Sequence, residues 1–271
     1  MRDRGIAILA LAIPVLAGLA YLIAFDAPRS FQAVNAAALA IAALWIALAP
    51  NASSHTARRV AIAGLLLLLF APLLTGPSLG GVARWLPLGP FQLHAGMLVV
   101  PLLVVLAAEE PDHAPMLLSV ALLAAFLQPD MATGAALMLA AVGLHDATRD
   151  WRYGVFAIVA FTASIVAAMR GELPAQPFVE RVIFLVAVTN PLAALGLLAA
   201  LVAGFYVILA ALPGLSSSRK ALAGSLFGFS FAGLVSNYPS PLIGYGAAPI
   251  LGFGLALGVL ATRPRADAIR V

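Results

Sequence analysis

Apolar stretches of 14 to 23 residues, broken by short polar segments, follow one another along the whole chain. Their bounds read 5–25, 31–49, 60–75, 94–108, 115–128, 131–144, 153–169, 190–212, 221–236 and 247–262. A helix needs about 20 mostly apolar residues to cross a hydrocarbon core of about 30 Å. The pattern therefore predicts an all-α integral membrane protein with about ten transmembrane helices. The fifth and sixth stretches are short; if they form a re-entrant pair, the later spans keep their sides. The apolar runs leave no room for a sizeable soluble domain, so residues 1–271 read as a single polytopic membrane domain. The first run follows "MRDR" and exceeds the usual length of a signal-peptide core, so it reads as an uncleaved first span.

One junction stands out in this pattern. "AAFLQPDMATGAALMLAAVGL" places Gln128, Pro129 and Asp130 between two short apolar runs. Pro129 ends the preceding helix, since proline lacks an N–H and clashes with the turn before it. Asp130 then caps the next helix by accepting backbone N–H groups, with Thr133 assisting. Alternatively, Asp130 faces a polar cavity, because ionisable groups at membrane depth face a bundle interior or water.

Composition excludes more than it assigns. The chain is 63% hydrophobic and 10% charged, with a mean hydropathy of +1.06, more apolar than a soluble domain of this size requires. It has no cysteine, which removes disulfides and thiolate metal sites. The net charge of +4 comes from short basic clusters between apolar runs, not from a nucleic-acid-binding surface. With the N-terminus inside, eleven of the fifteen Lys and Arg fall on cytoplasmic segments. The positive-inside rule then places both termini in the cytoplasm. His55, His94, His113 and His145 lie in four different loops without metal-ligand spacing, so no metal is assigned. No Walker, nucleophile-elbow or dinucleotide motif is present, and the cofactor is unknown.

The loops on the outer side carry the candidate chemistry, and each motif has two readings. In "GGVARWLPLGPF", Arg84 beside Trp85 reads as an interfacial anchor, or as a diphosphate clamp through the guanidinium fork. "NYPSPLIGYGAAP" cannot continue a helix. It caps the bundle or lines a cavity with Asn237 and Tyr245. Glu172 and Glu180 flank "LPAQPFV"; either could serve as a general base, or pair with Arg170 and Arg181 at the surface. On the inner side, "EEPDHAP" (109–115) reads as a solvated acidic connector with a structural role.

Taken in order, "GVARW", "LGPFQ", "QPDMAT" and "PSPLIGYGAAP" resemble the motifs of the SEDS family (shape, elongation, division and sporulation). These are the bacterial peptidoglycan polymerases typified by RodA and FtsW. The resemblance covers roughly residues 76 to 260 and places Gly81, Arg84, Trp85, Phe91, Gln92, Gln128, Pro129, Asp130, Thr133, Pro239, Pro241, Tyr245 and Gly246 on matching positions. It departs where the family's P-S-E is Leu93, His94 and Ala95, and where both serines of S-Y-G-G-S are absent around Tyr245. The outer loop at 170–189 is short and contains no aspartate, whereas the family's longer loop bears the aspartate essential for polymerisation.

The resemblance implies a multi-pass protein of the bacterial cytoplasmic membrane. It acts on or binds lipid II, the undecaprenyl-diphosphate-linked disaccharide pentapeptide, in cell-wall assembly, cell shape or division. It implies substrate contacts from Arg84, Trp85, Gln92, Gln128, Asp130, Thr133, Asn237 and Tyr245. Glu180 or Glu172, with Asp130, would carry glycosyltransferase chemistry. Partners would be membrane lipid, lipid II and a transpeptidase or other wall-synthesis protein. Two alternatives stand beside the enzyme: a non-catalytic membrane subunit of the same fold, and a flippase or transporter of lipid-linked precursor.

Overall fold

The computed structural model describes residues 2–51, 54–171 and 173–264. Within these, α1 (Arg2–Ala24), α2 (Arg29–Leu48), α3 (His55–Phe70) and α4 (Pro72–Thr75) precede a hairpin of β1 (Trp85–Leu88) and β2 (Phe91–His94). There follow α5 (Ala95–Ala107), α6 (Ala114–Leu127), α7 (Met131–Thr148), α8 (Trp151–Arg170), α9 (Val182–Thr189), α10 (Pro191–Ala210), α11 (Ser216–Val235) and α12 (Ala247–Ala261). With α3–α4 and α9–α10 each taken as one pass, the ten apolar stretches become ten helical passes.

Length separates the passes into two groups. Five helical segments are long and apolar enough to cross a membrane by themselves: α1, α2, α3–α4, α8 and α10. Helix α5 has 13 residues, and at 1.5 Å per residue it extends only about 20 Å. Helices α6 and α12 are nearly as short, at 14 and 15 residues. The short α5 and α12 pack together at the centre, against α2, α7 and α11. All but two residues of α5 are buried, as a helix apolar on every side requires. The long helices present Leu44, Leu67, Val202 and Tyr206 outward instead.

Small residues let the central helices approach closely, the usual device where lipid removes the hydrophobic drive for helix association. A Cβ added at Gly228 on α11 would overlap the backbone of Ala135 and Ala136 on α7. One added at Gly96 would overlap the Thr133 hydroxyl. The start of α5 is thereby seated against the start of α7.

Three features differ from the sequence pattern. The first outer loop is not wholly irregular: within the helical fold it holds a short hairpin. Trp85 pairs with His94 and Leu88 with Phe91 across a two-residue Gly89–Pro90 turn, with Gly89 at φ +57°. The eighth pass starts earlier than residue 190, because α9 precedes α10 across an Asn190–Pro191 break. Asn190 caps α10 by accepting the Ala193 N–H at 3.0 Å, and Pro191 sits at N1, where it loses no helical bond. That polar break disguises the helix before it as loop.

The third difference is at the 109–115 connector, where Glu110 is buried and Glu109 is largely covered, not solvated. Glu109 accepts a two-pronged contact from Arg263 (2.8 and 2.7 Å). Glu110 accepts from Arg58 at 2.7 Å and Arg59 at 3.3 Å. The cluster ties α3, the α5–α6 turn and the end of α12. Hydrogen bonding from Arg58 holds the Glu110 carboxyl below its usual range. Its contribution to stability is present above the unfolded carboxylate pKa and is lost as pH falls through the depressed folded value. Arg58→Ala leaves the buried Glu110 and its neighbour Glu109 short of a partner and should destabilise the protein by about 3 kcal/mol. Thermal unfolding in detergent reads this, and an unchanged midpoint would remove the cluster from the account.

Candidate functional site

The Arg58–Glu110 cluster lies at the end of the bundle that holds both described ends of the chain. At the opposite end, the hairpin and two loops, 173–181 and 236–246, enclose a cavity of about 510 Å³. Pro239 and Pro241 prevent the 236–246 segment from continuing as helix. Its backbone instead pairs with the 173–181 loop. Ser240 donates its N–H to Val179 (2.8 Å) and Tyr245 to Phe178 (2.7 Å). Asn237 donates its side-chain amide to the Leu173 carbonyl (3.0 Å). Asn35, fully buried on α2, donates to the Gly244 carbonyl (2.9 Å) and accepts the Gly246 N–H (3.0 Å). Irregular backbone at membrane depth needs such internal partners. Tyr245 stacks flat on Phe31, with centroids 3.7 Å apart, and lines the cavity.

Arg84 is 1% exposed, so it is not a headgroup anchor. It immediately precedes β1, and its carbonyl accepts the Ala95 N–H at 3.0 Å. Its guanidinium lies over the rings of Tyr238 (4.3 Å) and Trp85 (5.0 Å). Those π-faces attract a cation, but Nε and Nη1 have no hydrogen-bond partner. Among the described residues no carboxylate lies within ion-pair distance of it. A buried charge left this way is costly. Arg84 also lines the cavity beside it.

Glu180 lies on the facing loop, 5% exposed, and lines the same cavity. It accepts the Gln176 N–H at 2.9 Å. Burial pushes its carboxyl above the ordinary glutamate value. It forms no surface ion pair with the adjacent arginines. Arg181 lies over Phe184 and Arg170 over Phe126. Glu172 lies outside the described residues.

Asp130 stands behind the cavity wall. Its Oδ1 accepts the Thr133 N–H (3.1 Å) and its Oδ2 the Thr133 hydroxyl (2.5 Å), which makes it the cap of α7. Gln128 is also turned away and donates to the Leu69 carbonyl at 2.5 Å. Of the sequence-level candidates, Arg84, Trp85, Gln92, Glu180 and Tyr245 line the cavity, whereas Gln128, Asp130, Thr133 and Asn237 brace its walls. Two neighbours were not legible as site residues. Tyr238 is buried under Arg84, accepts the Met131 N–H at 3.0 Å, and is pushed up to about 12, by burial first and then by the Asp130 charge. His94 also lines the cavity. Its sequence signal was position: it stands where the hairpin meets the first residue of α5.

No family model matches the chain, and no curated protein matches it significantly. Solved structures do. The rod shape-determining protein RodA of Thermus thermophilus is 22% identical, with a TM-score of 0.67, and the match covers 96% of this chain and 95% of that chain. An aspartate-to-alanine variant of the same protein gives 20% identity and a TM-score of 0.70, over 96% of each chain. A chain from a peptidoglycan synthase complex, described for its coordination of polymerization and crosslinking, is 21% identical with a TM-score of 0.65, over 99% of each. The chain has the fold of these proteins: it is an α-helical, multi-pass membrane protein. The fold agrees with the family resemblance of its loop motifs.

Proposed function

We propose that this chain is a SEDS-type protein of bacterial cell-wall assembly that polymerises lipid II at the cavity. The observation that carries the reading is Arg84, a buried cation with two unpartnered nitrogens, lining one cavity with the buried carboxyl of Glu180. The positive-inside excess supports a cytoplasmic Arg58–Glu110 end and a cavity on the outer side. A volume of about 510 Å³ suits a diphosphate with the sugar nearest it. The polyprenyl tail stays in the bilayer.

The reaction needs an acceptor hydroxyl to attack the anomeric carbon of the donor sugar. A new C–O bond forms, the bond from that carbon to the lipid diphosphate breaks, and the diphosphate leaves as an anion. Glu180, in its ionised form, takes the hydroxyl proton. The desolvated carboxyl is the stronger base for that role, since catalysis favours a pKa close to the working pH. Arg84 offers N–H donors to the leaving diphosphate, whose charge grows in the transition state. Asp130 caps α7, and the Met131 N–H holds the Tyr238 hydroxyl behind Arg84. The RodA likeness and the synthase-complex likeness support a transpeptidase-type partner.

The lack of an aspartate in the 170–189 loop favours a second reading, a non-catalytic subunit that binds lipid precursor. Purified protein given labelled lipid II separates the two, with glycan chains resolved on a gel. Polymer supports the enzyme. Retained precursor binding without polymer, where a known polymerase is active, supports the subunit. Movement of lipid II across liposomes without polymer or retention would favour the flippase.

A further inference from the structure

Between Arg59 and Glu109 the chain has one charged residue, Arg84, and that side chain is buried. The hairpin and its flanks therefore present no Lys, Arg, Asp or Glu at the surface, although they lie at an end of the bundle. Other connections at this end do, since Arg29, Arg170 and Arg181 are exposed. The hairpin region presents apolar groups instead: Leu74, Leu79, Leu88 and Phe91 are exposed, Leu88 at 63%. Strand alternation puts Leu86, Leu88, Phe91 and Leu93 on one face of the hairpin. Leu86 and Leu93 pack on the core, whereas Leu88 and Phe91 near the turn stand open. An antiparallel sheet with one face in water carries polar residues on that face; this face carries none.

Depth gives the second observation. Helix α5 starts where β2 ends and runs to the Glu109–Glu110 cluster at the far end of the bundle. Its length of about 20 Å leaves about 10 Å of a hydrocarbon layer of about 30 Å on the hairpin side. Strands of four residues span about 13 Å. The turn therefore ends close to the boundary between acyl chains and headgroups, and the strands are too short to carry it clear into water. The lipid-facing surface of α3–α4, where Leu67 and Leu74 point outward, continues into the hairpin. Helix α4 packs beside β1, and Gly76 at its end lies against the Trp85 carbonyl.

We propose that the turn of this hairpin is immersed in the leaflet on the cavity side, with Leu88 and Phe91 among the upper acyl chains. Lipid is the occupant because the patch continues a lipid-facing surface and lies at its depth. The ribbon sits at the boundary and no deeper, since open sheet edges are not tolerated in hydrocarbon. Pro87 and Pro90 lack an N–H, so few donors near the turn need water. Trp85 and Gln92 on the other face line the cavity, and Phe91 borders it as well. One wall of the cavity is thereby anchored in lipid at headgroup depth. This holds whichever ligand the cavity takes.

The chain has no cysteine, so a single introduced thiol can carry a nitroxide label. The test uses the full-length protein in vesicles of phosphatidylethanolamine and phosphatidylglycerol. Label collisions are measured with oxygen, which concentrates in lipid, and with a water-soluble nickel chelate present on both sides of the membrane. Leu67→Cys, on the lipid-facing side of α3, is the lipid reference. Asp112→Cys, in the exposed part of the 109–115 connector, is the water reference. At Leu88→Cys the ratio of oxygen to chelate collisions should lie several-fold above the Asp112→Cys value, on the side of Leu67→Cys. If Leu88→Cys does not fold, Phe91→Cys carries the same expectation. A ratio equal to that of Asp112→Cys overturns the proposal, because the turn then stands in water. Low access to both reagents also overturns it, because protein then covers the patch; spin–spin broadening between labels would identify a second copy as that cover.

Discussion

Glu180→Gln is expected to lower lipid II polymerisation by about 100-fold or more, the lower range for removing a general base. Glutamine keeps the volume and can still accept the Gln176 N–H that the carboxylate accepts now, so the loop should remain in place. The pH profile adds a second, independent readout. Burial raises the Glu180 carboxyl, so the acid limb of activity should lie above the ordinary glutamate range. Activity should rise with pH as the carboxylate forms. Stability should run the other way. A carboxyl raised in the folded state favours folding at low pH, and that contribution is lost as pH rises through the folded value. Glu180→Gln should therefore be slightly more stable than the parent at neutral pH. Full polymerisation by Glu180→Gln would remove this residue from the chemistry.

Arg84→Met should separate function from stability in the opposite sense to most core substitutions. The guanidinium is buried over Tyr238 and Trp85 with Nε and Nη1 unpartnered. Replacing a poorly compensated buried ion by an apolar side chain of similar length is often stabilising, here by about 1–3 kcal/mol. Loss of a preorganised donor to a developing anion costs about 100- to 1000-fold in rate. Polymer synthesis should collapse while the thermal midpoint rises. Functional residues held at a cost to stability show this trade-off. A fall in the midpoint would mean that the contacts to Tyr238 and Trp85 outweigh the desolvation of the charge, and that Arg84 is structural.

Several features of this site were readable from local chemistry. Asp130 follows a proline and precedes Thr133; its Oδ1 caps α7 and its Oδ2 accepts the Thr133 hydroxyl. The Pro-rich 236–246 segment could not be helical, and it closes one side of the cavity. Other features depended on contacts between residues far apart in sequence. Asn35 is an ordinary amide in an apolar run, yet it holds Gly244 and Gly246, 209 and 211 residues away. Glu109 and Glu110 looked solvated because their cationic partners come from α3 and from the end of α12. Gln128 and Asn237 seemed suited to the cavity by residue type, but each spends its amide on a neighbouring backbone carbonyl.

The sequence by itself determined the solvent, the number of passes, the sites of the breaks and the end that gathers positive charge. These follow from the length of apolar runs, the missing N–H of proline and the cost of charge in lipid, all of which act locally along the chain. Only the tertiary structure decided which polar groups face the cavity and which brace it. That choice depends on which donors and acceptors are already satisfied across helices. Arg84 lines the space with nitrogens that no protein group satisfies, whereas Asp130 spends its oxygens on Thr133 at the start of α7.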